Sequence, residues 1–274
     1  MTAGGDPGWF WPLLLTVVAI GYGATALRLR REGRWPARRV LLFYAGLAVV
    51  AMAVTGPVAD RARQGFPAHM SGHLMLAMLA PILLALSAPM TLILRALPVS
   101  GARRLVSLLK SRPVRALTHP ATTAVLNIGG LWLLYTTRLY GLMHEHAWLG
   151  VAVHLHLLLA GYLFTASIIG IDPAPHRPSW LVRAVVLVLA LGAHAVLAKF
   201  LYAHPPSGVS IREAETGSQL MYYGGDLVDL LLIVVFCQQW FQAARPRPAG
   251  PVRHSGPFSA GQSARTFLAE ADRP

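Results

Sequence analysis

Apolar residues in this chain run on rather than alternate. Seven stretches, at about residues 9–27, 40–57, 70–94, 118–137, 147–171, 180–202 and 219–243, carry little charge. Each approaches the roughly 20 apolar residues that a membrane-spanning helix needs. Polar residues, glycines and prolines collect in the connections. The pattern predicts an all-α fold: a polytopic membrane protein built as a seven-transmembrane-helix bundle, with its membrane domain over residues 1–244. Pro81 and Pro89 fall inside the third stretch and predict a kink or break, which a span tolerates where neighbours satisfy the freed carbonyls. The first stretch has no basic segment before it and no small-residue cleavage site after it, so it reads as a span and not a signal. Residues 245–274, rich in Pro, Gly, Ser and Arg, read as a disordered basic cytoplasmic tail.

Charge adds an orientation to this pattern. Of the 24 Lys and Arg residues, nineteen fall in segments 28–39, 95–115 and 172–183 and in the tail. The other five are Arg61, Arg63, Arg138, Lys199 and Arg212. The positive-inside rule then predicts an outward N-terminus and a cytoplasmic C-terminus. The same bias accounts for the net charge of +13 through topology and anionic lipid, so no nucleic-acid partner is expected. A content of 55% hydrophobic and 13% charged residues excludes an ordinary soluble enzyme. One cysteine, Cys237, excludes a disulfide framework and cysteine-held metal clusters, and reads as a buried small hydrophobe. The chain lacks H-E-x-x-H, P-loop, G-x-S-x-G and dinucleotide fingerprints, and is not expected to be an enzyme.

Eleven histidines are many for so apolar a chain, and their depths matter more than their number. At 1.5 Å per residue, His73 lies about 6 Å beyond His69, and His154 about 10 Å into the fifth stretch. On the same measure His194 lies about 12 Å from the end of the sixth stretch, and Asp226 about 9 Å into the seventh. Four ionisable residues on four helices thus reach one layer in the outer half of the membrane. Such residues are costly in a span and usually face the bundle interior, where they pair. His69 and His73 stand at i, i+4, the spacing of two imidazoles sharing a metal, and Met70 offers a thioether. Imidazole with thioether favours copper, above all Cu(I). His154 and His156 point about 200° apart, so only one can face the site; His154 is favoured, with His156 directed elsewhere, for example at a backbone carbonyl. Asp226 and Asp229, at i, i+3, could orient imidazoles or carry protons. Hydrogen-bonded packing is the competing role for each histidine, and solvation for His144 and His146 in their loop. Met75 and Met78 read as packing residues.

These residues fall in a familiar order. His69-Met-Ser-Gly-His73, running on through Pro81 to Pro89, resembles the third span of the CtaG family of multi-pass cytochrome c oxidase assembly factors, associated with caa-type oxidases. Leu131-Trp-Leu-Leu-Tyr135 with Leu139-Tyr140, His154 through Gly161 to Gly170-Ile-Asp172-Pro173, His194, and Gly224-Gly-Asp226-Leu-Val-Asp229 with Trp240 agree in order. The likeness covers about residues 40–242. Where the family usually has Trp and Glu in its last span, this chain has Tyr222-Tyr223 and Asp226. The resemblance implies a role in maturing the copper-containing oxidase, in the plasma membrane of a bacterium, with oxidase subunits as partners. From the residues themselves we expect copper held by His69, Met70, His73, His154 and His194 and accepted from extracytoplasmic donors. A copper or proton-coupled transporter and a haem-binding redox protein are the other classes these residues would serve. No large planar pocket is indicated, so haem is not expected.

Overall fold

Hydrocarbon offers no partner to a backbone N–H or C=O, so each long apolar run closes its hydrogen bonds within a helix. The computed structural model describes residues 7–173 and 177–245. Helices α1 (Phe10–Arg31) and α2 (Ala37–Val54) come first, and the short polar α3 (Gly56–Gln64) follows. The third span is composite: α4 (Phe66–His73), a π-helical turn (Leu74–Leu79) and α5 (Ala80–Leu86) run on without a break. It starts before the expected residue 70 and stops before 94, because Ala88 takes a left-handed conformation (φ 55°) ahead of Pro89. The expected break therefore lies at Pro89. At Pro81 the helix continues, since the preceding π turn has already opened the ladder. Pro81 cannot donate to the Ala77 carbonyl, and Gly161 of the helix opposite lies so close to that carbonyl that a β-carbon there would collide with it.

After α6 (Pro89–Ala96), helices α7 (Val99–Leu109) and α8 (Arg112–Leu117) contain no buried residue. A second composite run follows: α9 (Pro120–Ala124), a π turn (Val125–Gly129) and α10 (Gly130–Thr136). Then come α11 (Leu139–Glu145), α12 (Ala147–Ile169), α13 (Trp180–Ala203) and α14 (Ile211–Ala244). Helix α14 starts well before residue 219 because Ser210 caps it: the Ser210 hydroxyl accepts from the Glu213 N–H (3.3 Å) and donates to the Glu213 carboxylate (2.8 Å).

Among the described residues there is no strand. Six helices are long and apolar enough to cross a membrane: Phe10–Arg31, Ala37–Val54, Phe66–Leu86, Ala147–Ile169, Trp180–Ala203 and Ile211–Ala244. The fourth expected stretch, 118–137, is the shorter composite run ending at Thr136. This is a multi-pass membrane protein.

The compact body runs to Trp240. Among the described residues its core falls into four clusters, and two of them frame the site: an upper one around Phe66, Met70, Tyr135, Met143 and Met221, and a lower one around Ile82, Phe164, Ile168, Leu232 and Phe236. In the separate unit that begins at Phe241, the Arg245 guanidinium lies over the Phe241 ring at 4.8 Å. Cys237, expected to be buried, is exposed, because it lies off the buried stripe of α14. The expected tail beyond Arg245, with His254, lies outside the described residues, as does His176.

Candidate functional site

Five of the histidines form two groups, one above the other. In the upper group His69 is buried, and its Nε2 shares a 3.1 Å hydrogen bond with the Tyr135 hydroxyl. Around it stand Tyr140 (ring centroids 5.0 Å apart), His144 (5.8 Å) and His154 (6.5 Å). His154 Nδ1–H donates to the Gly150 carbonyl at 2.8 Å, and His144 Nδ1–H to the Tyr140 carbonyl at 2.8 Å. A carbonyl only accepts, so each bond fixes the tautomer and leaves Nε2 as the basic nitrogen. His144 is itself exposed and forms the mouth of this group. Burial, then the Glu213 carboxylate, push the Tyr140 phenol up to about 12, so it stays neutral.

One helical turn deeper, His73 and His194 lie with rings near parallel, 24° between planes and 5.9 Å between centroids. Both are buried. His73 Nδ1 and Nε2 and His194 Nε2 have no hydrogen-bond partner. They border a cavity of about 30 Å³, together with Met78, Asn127, Thr165 and Asp229. That volume suits a single ion or a water or two. Asn127 Oδ1 is likewise buried and unpartnered. Gly225 makes the arrangement possible, because a β-carbon there would stand 2.7 Å from His194 Cε1. Tyr135 joins the two groups, bonded to His69 and standing edge-on to the His73 ring at 6.3 Å.

The five expected ligands are therefore not gathered around one point. His69 and His154 belong to the upper group, His73 and His194 to the lower. Met70 is fully buried and packs against Phe66 and Gly217 in the upper core. Of the two carboxylates, Asp229 lines the cavity and Asp226 is exposed. The buried stripe of α14 runs through Gly217, Met221, Gly225 and Leu232. On a regular helix Asp229 stands about 60° from its centre and Asp226 roughly 120°. His156 turns away, its Nε2 bonded to the Leu126 carbonyl at 3.2 Å.

Asn127, Met78, Tyr135 and His144 were missed as site residues. Asn127 carried a signal, a lone amide in an apolar run before Gly129-Gly130. Met78 did not: it lies roughly 140° from His73 on an ideal α-helix. The intervening π turn brings i+5 back to the same face. Among the described residues, no group of three or more His, Cys, Asp or Glu is disposed to hold a metal ion. What the lower group offers is two facing imidazoles with free nitrogens, and a thioether and a carboxylate on the cavity wall. Such a donor set suits a soft ion of low coordination number.

The aligned region of an uncharacterized protein of Mycobacterium bovis is 37% identical over 187 residues, covering 65% of this chain and 28% of that protein. An uncharacterized protein of Mycobacterium tuberculosis matches with the same figures. One of Mycobacterium leprae is 34% identical over the same length and shares. This chain thus spans under a third of the curated relatives it matches. No solved structure matches it. The model of the cytochrome c oxidase caa3 assembly factor family, CtaG, matches residues 20–243. With that match over most of its length, the chain belongs to the caa3-type cytochrome c oxidase assembly-factor family.

Proposed function

We propose that this protein carries copper, as Cu(I), for delivery to a nascent caa3-type oxidase, and that His73 and His194 are the pair that holds it. The observation that carries this reading is that two buried imidazoles, with three unpartnered nitrogens between them, line one ion-sized cavity. An unsatisfied buried polar atom costs about 1–3 kcal/mol, so three in one pair of rings are best understood as kept for a ligand. His144, His154 and His69 form a route to the pair from the exposed mouth, and soft donors at short intervals suit transfer by stepwise ligand exchange. Met78 lends a thioether; Asp229 orients an imidazole or takes up its proton. The cavity ends on Ile82, Phe164 and Leu232, and this apolar floor favours a carrier over a transporter. No bond-making chemistry is required, so the protein acts without being an enzyme.

The accompanying topology has seven spans, with the run 120–136 as the fourth, the N-terminus outside and a basic tail in the cytoplasm. It places the mouth outside, where extracytoplasmic copper donors and oxidase subunits would meet it. A strain lacking the protein should make the oxidase with its haem present but its copper depleted. A His73→Ala/His194→Ala chain, expressed at native abundance, should fail to restore the copper. Copper-replete oxidase in that strain would remove the carrier role.

A further inference from the structure

A second cavity, of about 140 Å³, opens at the other end of the bundle. From His154 to Gly170 along α12 is about 24 Å, so it is remote from the two histidine groups of the candidate site. Its walls are largely apolar, with Met90, Leu109, Val114 and Leu163 among them, and two guanidinium groups, Arg115 and Arg177, line it. The exposed Leu108 and Leu117 flank Leu109 and Val114 in sequence.

Arg177 is held in place. Its Nη2 donates to the Asp172 carbonyl at 2.9 Å, and its guanidinium lies against Gly170, which sits at φ 51° where a β-carbon would stand 2.7 Å from Arg177 Cζ. The Asp172 carboxylate also borders the cavity, but its oxygens already accept from Met90 N–H (3.2 Å), Thr91 N–H (2.8 Å) and the Thr91 hydroxyl (2.6 Å) at the start of α6. Among the described residues the Arg115 guanidinium makes no hydrogen bond or ion pair; only its backbone N–H is engaged, to the Ser111 carbonyl at 3.0 Å. Two cations and one committed carboxylate leave the cavity with an excess of unspent N–H donors, which is the complement of a phosphate oxygen array.

We infer that this cavity binds a phosphate group, with the phosphodiester of an anionic phospholipid as its source. The apolar walls beside the Arg115 and Arg177 side chains match a lipid headgroup joined to its glycerol and acyl chains.

The test uses the full chain in phosphatidylcholine vesicles with and without phosphatidylglycerol, and in detergent with inorganic phosphate, read by thermal unfolding and by lipid retained in native mass spectrometry. Phosphatidylglycerol should stabilise the native chain, and Arg115→Gln should weaken its retention by about fivefold, one surface cation's worth. Arg115→Lys should keep most of it. Arg103→Gln, an exposed arginine that does not line the cavity, should change nothing. Because Arg115 is exposed, the variant should fold, and its helicity and elution check that it does. Protection by inorganic phosphate that Arg115→Gln abolishes, without an effect of the lipid, would keep the phosphate site and assign it the free ion. Equal losses in Arg115→Gln and Arg103→Gln, or protection by neither ligand, would overturn the inference.

Discussion

The His73 and His194 rings face each other 5.9 Å apart, yet neither supplies a hydrogen bond to the other. Two buried imidazoles brought together for packing alone would be expected to find a carbonyl or hydroxyl, as His69, His154 and His156 each do. The pair is instead kept open by small residues and by two π turns, which recur at functional sites.

Gly225 is the residue whose substitution separates the geometry from the donors. In Gly225→Ala the new methyl group would displace the His194 ring while leaving every imidazole in the chain. Cu(I) affinity should fall roughly tenfold or more, within the range lost when a ligand's supporting contact is removed. Gly192→Ala, with open space around it, is the control. Competition against a Cu(I) chelator reads both.

Tyr135 ties the two groups together. Tyr135→Phe removes the hydroxyl and leaves His69 Nε2 buried without its partner. Stability should drop by about 1–3 kcal/mol. Thermal unfolding in detergent measures it, and an unchanged midpoint would mean that His69 finds another partner.

Gly161 sets the approach of α12 to the third span. Gly161→Val would drive a side chain into the Ala77 carbonyl and to about the position of Pro81 Cγ. Overpacking of this kind costs about 1–3 kcal/mol, and more where backbone is the obstacle. Gly141→Ala, which meets nothing within 4 Å, should be neutral in the same unfolding assay.

The bundle was legible in the sequence because apolar length alone reports a span. The histidines were legible as a set because ionisable residues are rare at such depth. Their division was not. His69 and His73 do share a face of the regular α4, but the count along one helix ignores that α11 brings Tyr140 and His144 against His69 while α13 brings His194 against His73. Met78 was hidden by the π turn, whose i→i+5 spacing no apolar periodicity announces, whereas Asn127 stood out as a lone amide in an apolar run and was passed over. Depth placed Asp226 in the layer, but the angular position relative to Gly225 and Leu232 decides that Asp229 is the carboxylate lining the cavity. The Ser210-x-x-Glu213 capping pattern was written in plain view, and the Ser210 cap explains the early start of α14.

Orientation is open to direct labelling. With the exposed Cys237 replaced by Ser, a cysteine at the exposed Ser207 should react with an impermeant maleimide added to intact cells. A cysteine at the exposed Ser107 should react only after the membrane is opened. The reverse pattern would put the histidine mouth on the cytoplasmic side.

The most direct test of the copper site is an anaerobic Cu(I) titration of the purified protein against a chromophoric chelator, with the native chain and His73→Ala/His194→Ala in parallel. The native chain should withhold one equivalent of Cu(I). The double variant should bind it at least about 100-fold more weakly, beyond what outer contacts alone contribute. Equal affinity in two chains of equal helicity and stability would contradict the assignment of copper to His73 and His194.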